Sequence, residues 1–138
     1  MEEINREKEL KMKVLSLKQP YAELILQGKK KIELRNWNTH FRGEFLIHAS
    51  KISDAEAMRK FNFNTLPLGG IVGKANLLDV KLYKNYLEHG KDKDLHLASS
   101  SWGNFGFLLE NPIRLNFKPL KGQLNFFDID LNVLEELK

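Results

Sequence analysis

Apolar and polar positions follow two rhythms along this chain, and each change of rhythm marks an element. Residues 13–17 carry Val14, Leu15 and Leu17 around one serine, the pattern of a short strand. Gln19-Pro20-Tyr21 then opens a helix, with proline suited to its first position and Tyr21, Leu24 and Ile25 forming an i, i+3, i+4 buried stripe. Gly28 is the expected C-cap, and the lysines after it suit the negative end of the helix dipole. Period two takes over at residues 31–37: Ile32 and Leu34 face one way, and Lys31, Glu33, Arg35 and Trp37 the other. After a polar turn, residues 44–50 predict a strand with Phe45, Ile47 and Ala49 on one face. Ser53-Asp54-Ala55-Glu56 reads as a capping box that starts a helix ending near Phe61. Residues 66–70 are a loop, and 71–80 are nearly continuously apolar, the mark of a strand buried on both faces. Residues 83–89 predict a short helix, 90–101 a polar loop, and 105–109 and 123–130 two more strands. Asn111-Pro112 starts a further extended piece through Phe117, and 133–138 close with a helical turn. The expected fold is α+β: a mixed β-barrel of five to seven strands, closed or partly closed, flanked by about three helices.

A length of 138 residues suits one domain. Residues 1–12 alternate Glu and Lys and read as a charged N-terminal extension, which leaves 13–138 as the domain. The absence of cysteine excludes a disulfide scaffold, the usual zinc finger and a thiol nucleophile. The opening residues have no apolar h-region and no run approaches a spanning helix, so no secretory signal and no membrane partner are expected. These features predict an intracellular protein, cytoplasmic or, in a eukaryote, nuclear. Lys+Arg 22 against Asp+Glu 18 leaves a net charge of +4, compatible with a polyanionic partner without requiring one.

The densest polar cluster is Gly28-Lys29-Lys30-Lys31-Ile32-Glu33-Leu34-Arg35, followed by Trp37. Lys30 falls at the helix-to-strand corner. Glu33 and Arg35 share a strand face about 6–7 Å apart. Two readings are open: a fixed fork of donors and acceptors, or a solvated face whose ion pair contributes under about 1 kcal/mol. Trp37, on the same face, adds the aromatic surface that base stacking beside a phosphate contact needs.

These residues carry a resemblance. Leu15-Ser16-Leu17-Lys18-Gln19-Pro20-Tyr21-Ala22 followed by Gly28-x-Lys30-x-x-Glu33-x-Arg35 resembles the opening of the ASCH (activating signal cointegrator homology) domain, whose characteristic motif is GxKxxExR. Three later stretches fit the same pattern in order: 36–51, from Asn36-Trp37 to Ala49-Ser50-Lys51; Gly70-Ile71-Val72-Gly73 running to Leu78-Asp79-Val80; and Leu109-Glu110-Asn111-Pro112 with Lys121-Gly122. The pattern is nearest to the ASCH domain at the C-terminal end of a eukaryotic transcription coactivator. The resemblance implies a PUA-like barrel with a cleft beside it, and RNA or single-stranded nucleic acid as ligand. It puts Lys30, Glu33 and Arg35 in that cleft and Gln19 and Tyr21 near its mouth. Lys30 and Arg35 would then hold phosphate or a base acceptor, Glu33 would orient Arg35 or accept from an exocyclic amine, and Tyr21, Trp37 or Trp102 would stack a base. Some small ASCH proteins resemble acetylcytidine amidohydrolases, which use a Lys, a Thr and a Glu. The Lys falls at Lys30, but the Thr position is Glu33 here, so this alternative rests on Lys30 and Glu33 activating a water on a modified nucleoside.

Other residues are weighed against simpler roles. Arg42-Gly43 closes a hairpin or reaches the cleft rim. His48 and Ser50, with Lys51 after them, form an outward polar face or line the cleft. Trp102 is a core plug or a cleft aromatic. Asp79, inside an apolar strand, is expected to be buried and paired. Gly69-Gly70 and Gly73 lack the Lys-Ser/Thr ending of a phosphate loop and suit tight packing instead. Lys118 and Lys121 extend a basic rim. His40, His89 and His96 are too scattered in sequence for a metal site, so neither metal nor cofactor is expected. A peptide-binding module with an unidentified protein partner is a third reading of the cleft.

Overall fold

The structure, a computed structural model, describes residues 11–132. The charged residues 1–10 and the helical turn expected at 133–138 lie outside them. Strand β1 (Lys11–Leu17) begins two residues before the apolar pattern, because Met12 packs on the cluster of Val14, Leu46, Ile71 and Phe127. Helix α1 (Tyr21–Leu26) follows, with Pro20 at the N-cap rather than the first helical position. Gly28, at φ 77°, turns the chain out of the helix toward β2 (Ile32–Arg35). Strand β3 (Gly43–Ala49) leads to α2 (Ala55–Lys60). That helix is capped by Asp54 and not by Ser53: the Asp54 carboxylate accepts from the Ala57 N–H at 3.0 Å.

The second half is built on two long strands, β4 (Gly70–Leu82) and β5 (Phe105–Pro119). Between them lie α3 (Tyr86–Lys91), α4 (Lys93–His96) and a 3₁₀ turn (Ser100–Trp102). Helix α4 occupies part of the stretch expected as loop. The two extended pieces expected around Asn111 are one strand, with Asn111 taking a left-handed φ of 53° within it. β6 (Phe126–Asp130) is shorter than its pattern, since Asn125 at φ 59° keeps the preceding residues out of the sheet.

All six strands form one mixed sheet in the order β2-β5-β4-β3-β1-β6, antiparallel except for the β1–β3 pair. The sheet curls so that its two outer strands approach each other. Arg35, at the end of β2, donates to the Ser16 carbonyl of β1 at 2.8 Å. Phe107 of β5 stacks on Phe126 of β6 at 6.2 Å, and Trp37 meets both rings edge-on. Leu15, Leu17, Phe45, Ile47, Leu77 and Phe107 fill the inside of this partly closed barrel, with Ala22 and Ile25 of α1 among them. The burial expected on both faces of β4 holds only to Leu77, where pairing with β3 ends; Leu78, Asp79, Lys81 and Leu82 beyond it are exposed. Asp79 is therefore not the buried carboxylate expected: its side chain is 66% exposed and meets Arg42 at 3.3 Å.

Helix α1 is fixed to β5 by Glu23, which accepts both terminal nitrogens of Arg114 at 2.7 and 2.8 Å. The Arg114 hydrogen bonds hold the Glu23 carboxyl below its usual range. Beside this contact, Gly73 leaves no room for a side chain. A Cβ there would press on Leu26 and stand 2.6 Å from the Ile113 carbonyl. Gly73→Ala is expected to cost about 1–3 kcal/mol through overpacking, read as a lower denaturation midpoint at unchanged m-value.

Candidate functional site

The site grows from one buried cation. Lys30, 2% exposed, follows the turn that ends α1 and cannot reach water. Its ammonium donates to the His96 carbonyl of α4, lies 3.6 Å from Glu33 Oε1 and sits 5.0 Å from the centre of the Tyr21 ring. Glu33 is itself 7% exposed, and its Oε2 accepts Arg35 Nε at 3.1 Å and Nη2 at 2.9 Å. The solvated-face reading of this strand is thus replaced by a chain of charge running from α4 through β2 to β1. Burial lowers the Lys30 pKa and the Glu33 charge opposes that shift. Burial, followed by the Asp54, Glu33 and Glu56 charges, raises the Tyr21 phenol to about 12, so it stays a neutral donor.

Above this chain opens a cleft of about 510 Å³. Glu33, Arg35 and Trp37 form one wall, with the Arg35 guanidinium 5.9 Å from the Trp37 ring centre. Tyr21 and Trp102, edge to face at 5.3 Å, form another. Gly103 brings Trp102 there: its φ of 123° suits only glycine, and a Cβ would collide with the Arg35 carbonyl. Ser16 of β1, Lys18 just after that strand and Ser50 just after β3 complete the floor. Sequence reasoning missed Ser16, Lys18, Asn36 and Ser101 as lining residues, and also the loop Gln123-Leu124-Asn125 that closes the far side. The sign for that loop was Asn125, a residue type tolerant of left-handed backbone within a run read as strand.

The remaining expected residues lie elsewhere. Lys30 does not line the cleft: it borders a void of about 10 Å³ beneath Tyr21 and Trp102 and, on another side, a separate hollow of about 250 Å³ with Ile25, Gly28 and Pro112. Gln19 is buried and braces the start of α1, accepting the Glu23 N–H at 2.9 Å and donating to the Pro67 carbonyl at 3.1 Å. His48 is 1% exposed and lies beneath the cleft floor, bonded to Ser16. Lys51 is exposed beside Gly69, outside the cleft lining. Arg42 is held on the hairpin by the Thr39 and Phe41 carbonyls and by Asp79. Lys118 and Lys121 do not line the cleft.

His89 and His96, far from scattered, are both buried with ring centres 4.4 Å apart. His96 Nδ1 accepts the Ala98 N–H at 3.1 Å, so its Nε2 donates to the His89 carbonyl at 2.9 Å; burial depresses its pKa and keeps it neutral. Among the described residues no group of three or more His, Cys, Asp or Glu is placed to hold a metal ion.

Removing the partner of a buried charge is costly, so Glu33→Gln is expected to lose about 3–5 kcal/mol near pH 7. The folded-state Lys30 pKa lies below its ordinary 10.5. As pH rises through the folded value, the folded state sheds the buried charge while the unfolded chain still holds its proton, so stability from this group increases with pH. Without Glu33 the depression deepens. Denaturant midpoints from neutral to alkaline pH should therefore rise more in Glu33→Gln than in the parent.

The ASCH domain family model matches residues 15–120 of this chain. Activating signal cointegrator 1 of Mus musculus and that of Homo sapiens are each 28% identical over 139 residues. The match covers 90% of this chain and 23% of either relative, so the chain spans under a quarter of their length. Among solved structures, a point variant of the Zymomonas mobilis ASCH protein superposes with a TM-score of 0.64 at 16% identity, covering 91% of this chain and 92% of the other. A crystal structure of ASCH from the same organism gives 0.57 at 19% identity, with the same coverage. These likenesses in structure show a shared fold. With the family match spanning most of the described sheet, the chain belongs to the ASCH domain family.

Proposed function

We propose that this domain binds nucleic acid, RNA or another single strand, in the cleft between β2, the Trp102 turn and the 123–125 loop. The observation that carries this reading is the lining itself. Lys18 and Arg35 supply positive charge, while Tyr21, Trp37 and Trp102 supply aromatic surface, within a cleft of about 510 Å³. Phosphate contact beside aromatic stacking is how single strands are held without a duplex groove. Asn36, Gln123 and Asn125 add amides able to donate and accept at base edges. Glu33, paired through both oxygens, serves as the fixed anchor that aims Arg35. The same pairing weighs against the alternative in which Lys30 and Glu33 activate water on a modified nucleoside such as acetylcytidine, since Glu33 is already held by Lys30 and Arg35 and Lys30 lies outside the cleft lining. No helix among the described residues is long and apolar enough to cross a membrane.

Fluorescence anisotropy with short labelled single-stranded RNA, single-stranded DNA and duplex, at about 50 and 200 mM salt, tests this reading. Single strands should saturate the protein and bind more weakly at the higher salt. Lys18→Glu combined with Arg35→Gln should weaken binding about tenfold or more and flatten the salt dependence by about one unit of slope per lost phosphate contact. Absence of binding to every probe at tens of micromolar, or full binding by the double variant, would overturn it.

A further inference from the structure

We propose that Ser16 and His48 form a nucleophile and general-base pair in the cleft floor, able to take a short acyl group from an ester of a flat, polar alcohol. This goes beyond the binding reading and does not depend on it, because the geometry of the pair is set by the sheet.

The parallel β1–β3 register puts Ser16 directly beside His48, on the same face of the sheet. Ser16 Oγ stands 2.8 Å from His48 Nδ1, and His48 Nε2 stands 2.6 Å from the Leu120 carbonyl. A carbonyl oxygen only accepts, so Nε2 carries the ring proton and Nδ1 presents a lone pair. Ser16 must then donate its hydroxyl proton to Nδ1. Ser50 Oγ, 2.9 Å from Ser16 Oγ, donates in turn to Ser16. The polarity of the whole chain is thereby fixed: Ser50 to Ser16 to His48 to the Leu120 carbonyl. A base oriented by a third group, and itself holding the proton of a hydroxyl, is the arrangement that activates a serine. Here a backbone carbonyl takes the orienting place usually held by a carboxylate.

Three further features suit the pair to chemistry. Ser16 and Ser50 both line the cleft while His48 is 1% exposed, so the nucleophile meets ligand and the base is shielded from water. Arg35 lines the same cleft as Ser16 and donates to the Ser16 backbone carbonyl, so a cation borders the space in which the substrate's carbonyl oxygen would become an oxyanion, and its Nη1 has no hydrogen-bond partner among the described residues. Gly122 covers the pair closely: a Cβ there would stand 2.8 Å from His48 Cε1 and 3.1 Å from Ser16 Oγ. Glycine leaves the hydrogen bond intact, and the tight cover admits only a small acyl group, with Tyr21, Trp37 and Trp102 facing the alcohol.

In the step proposed, Ser16 Oγ attacks the ester carbonyl carbon as its proton passes to His48 Nδ1, and the carbonyl electron pair moves onto oxygen beside Arg35. The intermediate collapses, breaking the carbon–alkoxy bond, and the departing alcohol oxygen takes the proton from Nδ1. This leaves an acyl ester on Ser16. Water then gives a proton to Nδ1 as its oxygen attacks the acyl carbon; Ser16 Oγ leaves and recovers that proton. The sum is ester plus water giving acid plus alcohol.

The test uses the full chain with a fluorophosphonate, which labels activated serines whatever their acyl preference, and with p-nitrophenyl acetate. Peptide mapping should find the phosphonyl and acetyl adducts on Ser16. Release of p-nitrophenolate should fall about 100-fold or more in Ser16→Ala and in His48→Gln, whose amide can still bond Leu120 but cannot take a proton. The adduct is mapped on the unaltered protein, so this readout stands even where the buried His48 variant fails to fold. Adducts confined to lysines, no fluorophosphonate on Ser16, or equal turnover by Ser16→Ala would overturn the proposal.

Discussion

A buried ammonium that cannot reach water organises one end of this molecule. Lys30 must find its partners inside, and it finds the His96 carbonyl of α4 and the Glu33 carboxylate of β2. Glu33 passes the constraint to Arg35, and Arg35 passes it to the β1 backbone at Ser16. Such networks add little net stability over apolar packing, but they penalise every arrangement that separates their members. One chain of charge thus sets where α4, β2 and β1 lie relative to one another. The Tyr21 ring over Lys30 and the Trp102 ring against Tyr21 inherit their positions from it.

Much of the sheet was legible because strand alternation reports burial directly: Leu15 and Leu17, Ile32 and Leu34, and Phe45, Ile47 and Ala49 are all buried as their spacing demands, Ile32 and Leu34 in a separate cluster with Tyr83. Gly73 was legible as a packing glycine for the same local reason. The Glu33–Arg35 pairing could be drawn from strand spacing, but its burial could not, since lysine and glutamate are ordinarily exposed. Lys30 is buried by α4, a one-turn helix whose four residues carry too short a pattern to register. The meeting of His89 with His96 depends on the same helix. Asp79 misled in the opposite direction: its apolar neighbours suggested burial, but β3 stops at Gly43, opposite Leu77, and leaves the rest of β4 open on that side.

The floor of the cleft illustrates what local pattern cannot carry. Ser16 looked like a lone polar residue in an apolar strand, and His48 like one position of an alternating face. Their adjacency comes from the parallel pairing of β1 with β3, a relation between segments 32 residues apart. The cover over them comes from a third segment, Leu120 to Gly122, still further along the chain.

That last segment has a consequence for how the molecule is made. β6 hydrogen-bonds to β1, joining residues as far apart in sequence as Lys11 and Asp130. Long-range pairings of this kind form slowly, because the intervening chain must be closed before the contacts reward it. The loop from Gln123 to Asn125 lies just ahead of β6, whereas Leu120 directly follows β5 and its N–H bonds the Gly69 carbonyl at 3.1 Å. During synthesis the first five strands can assemble, and supply His48 with its Leu120 acceptor, while the cleft still lacks the wall formed by residues 123–125. The cleft is completed only as the final strand comes home.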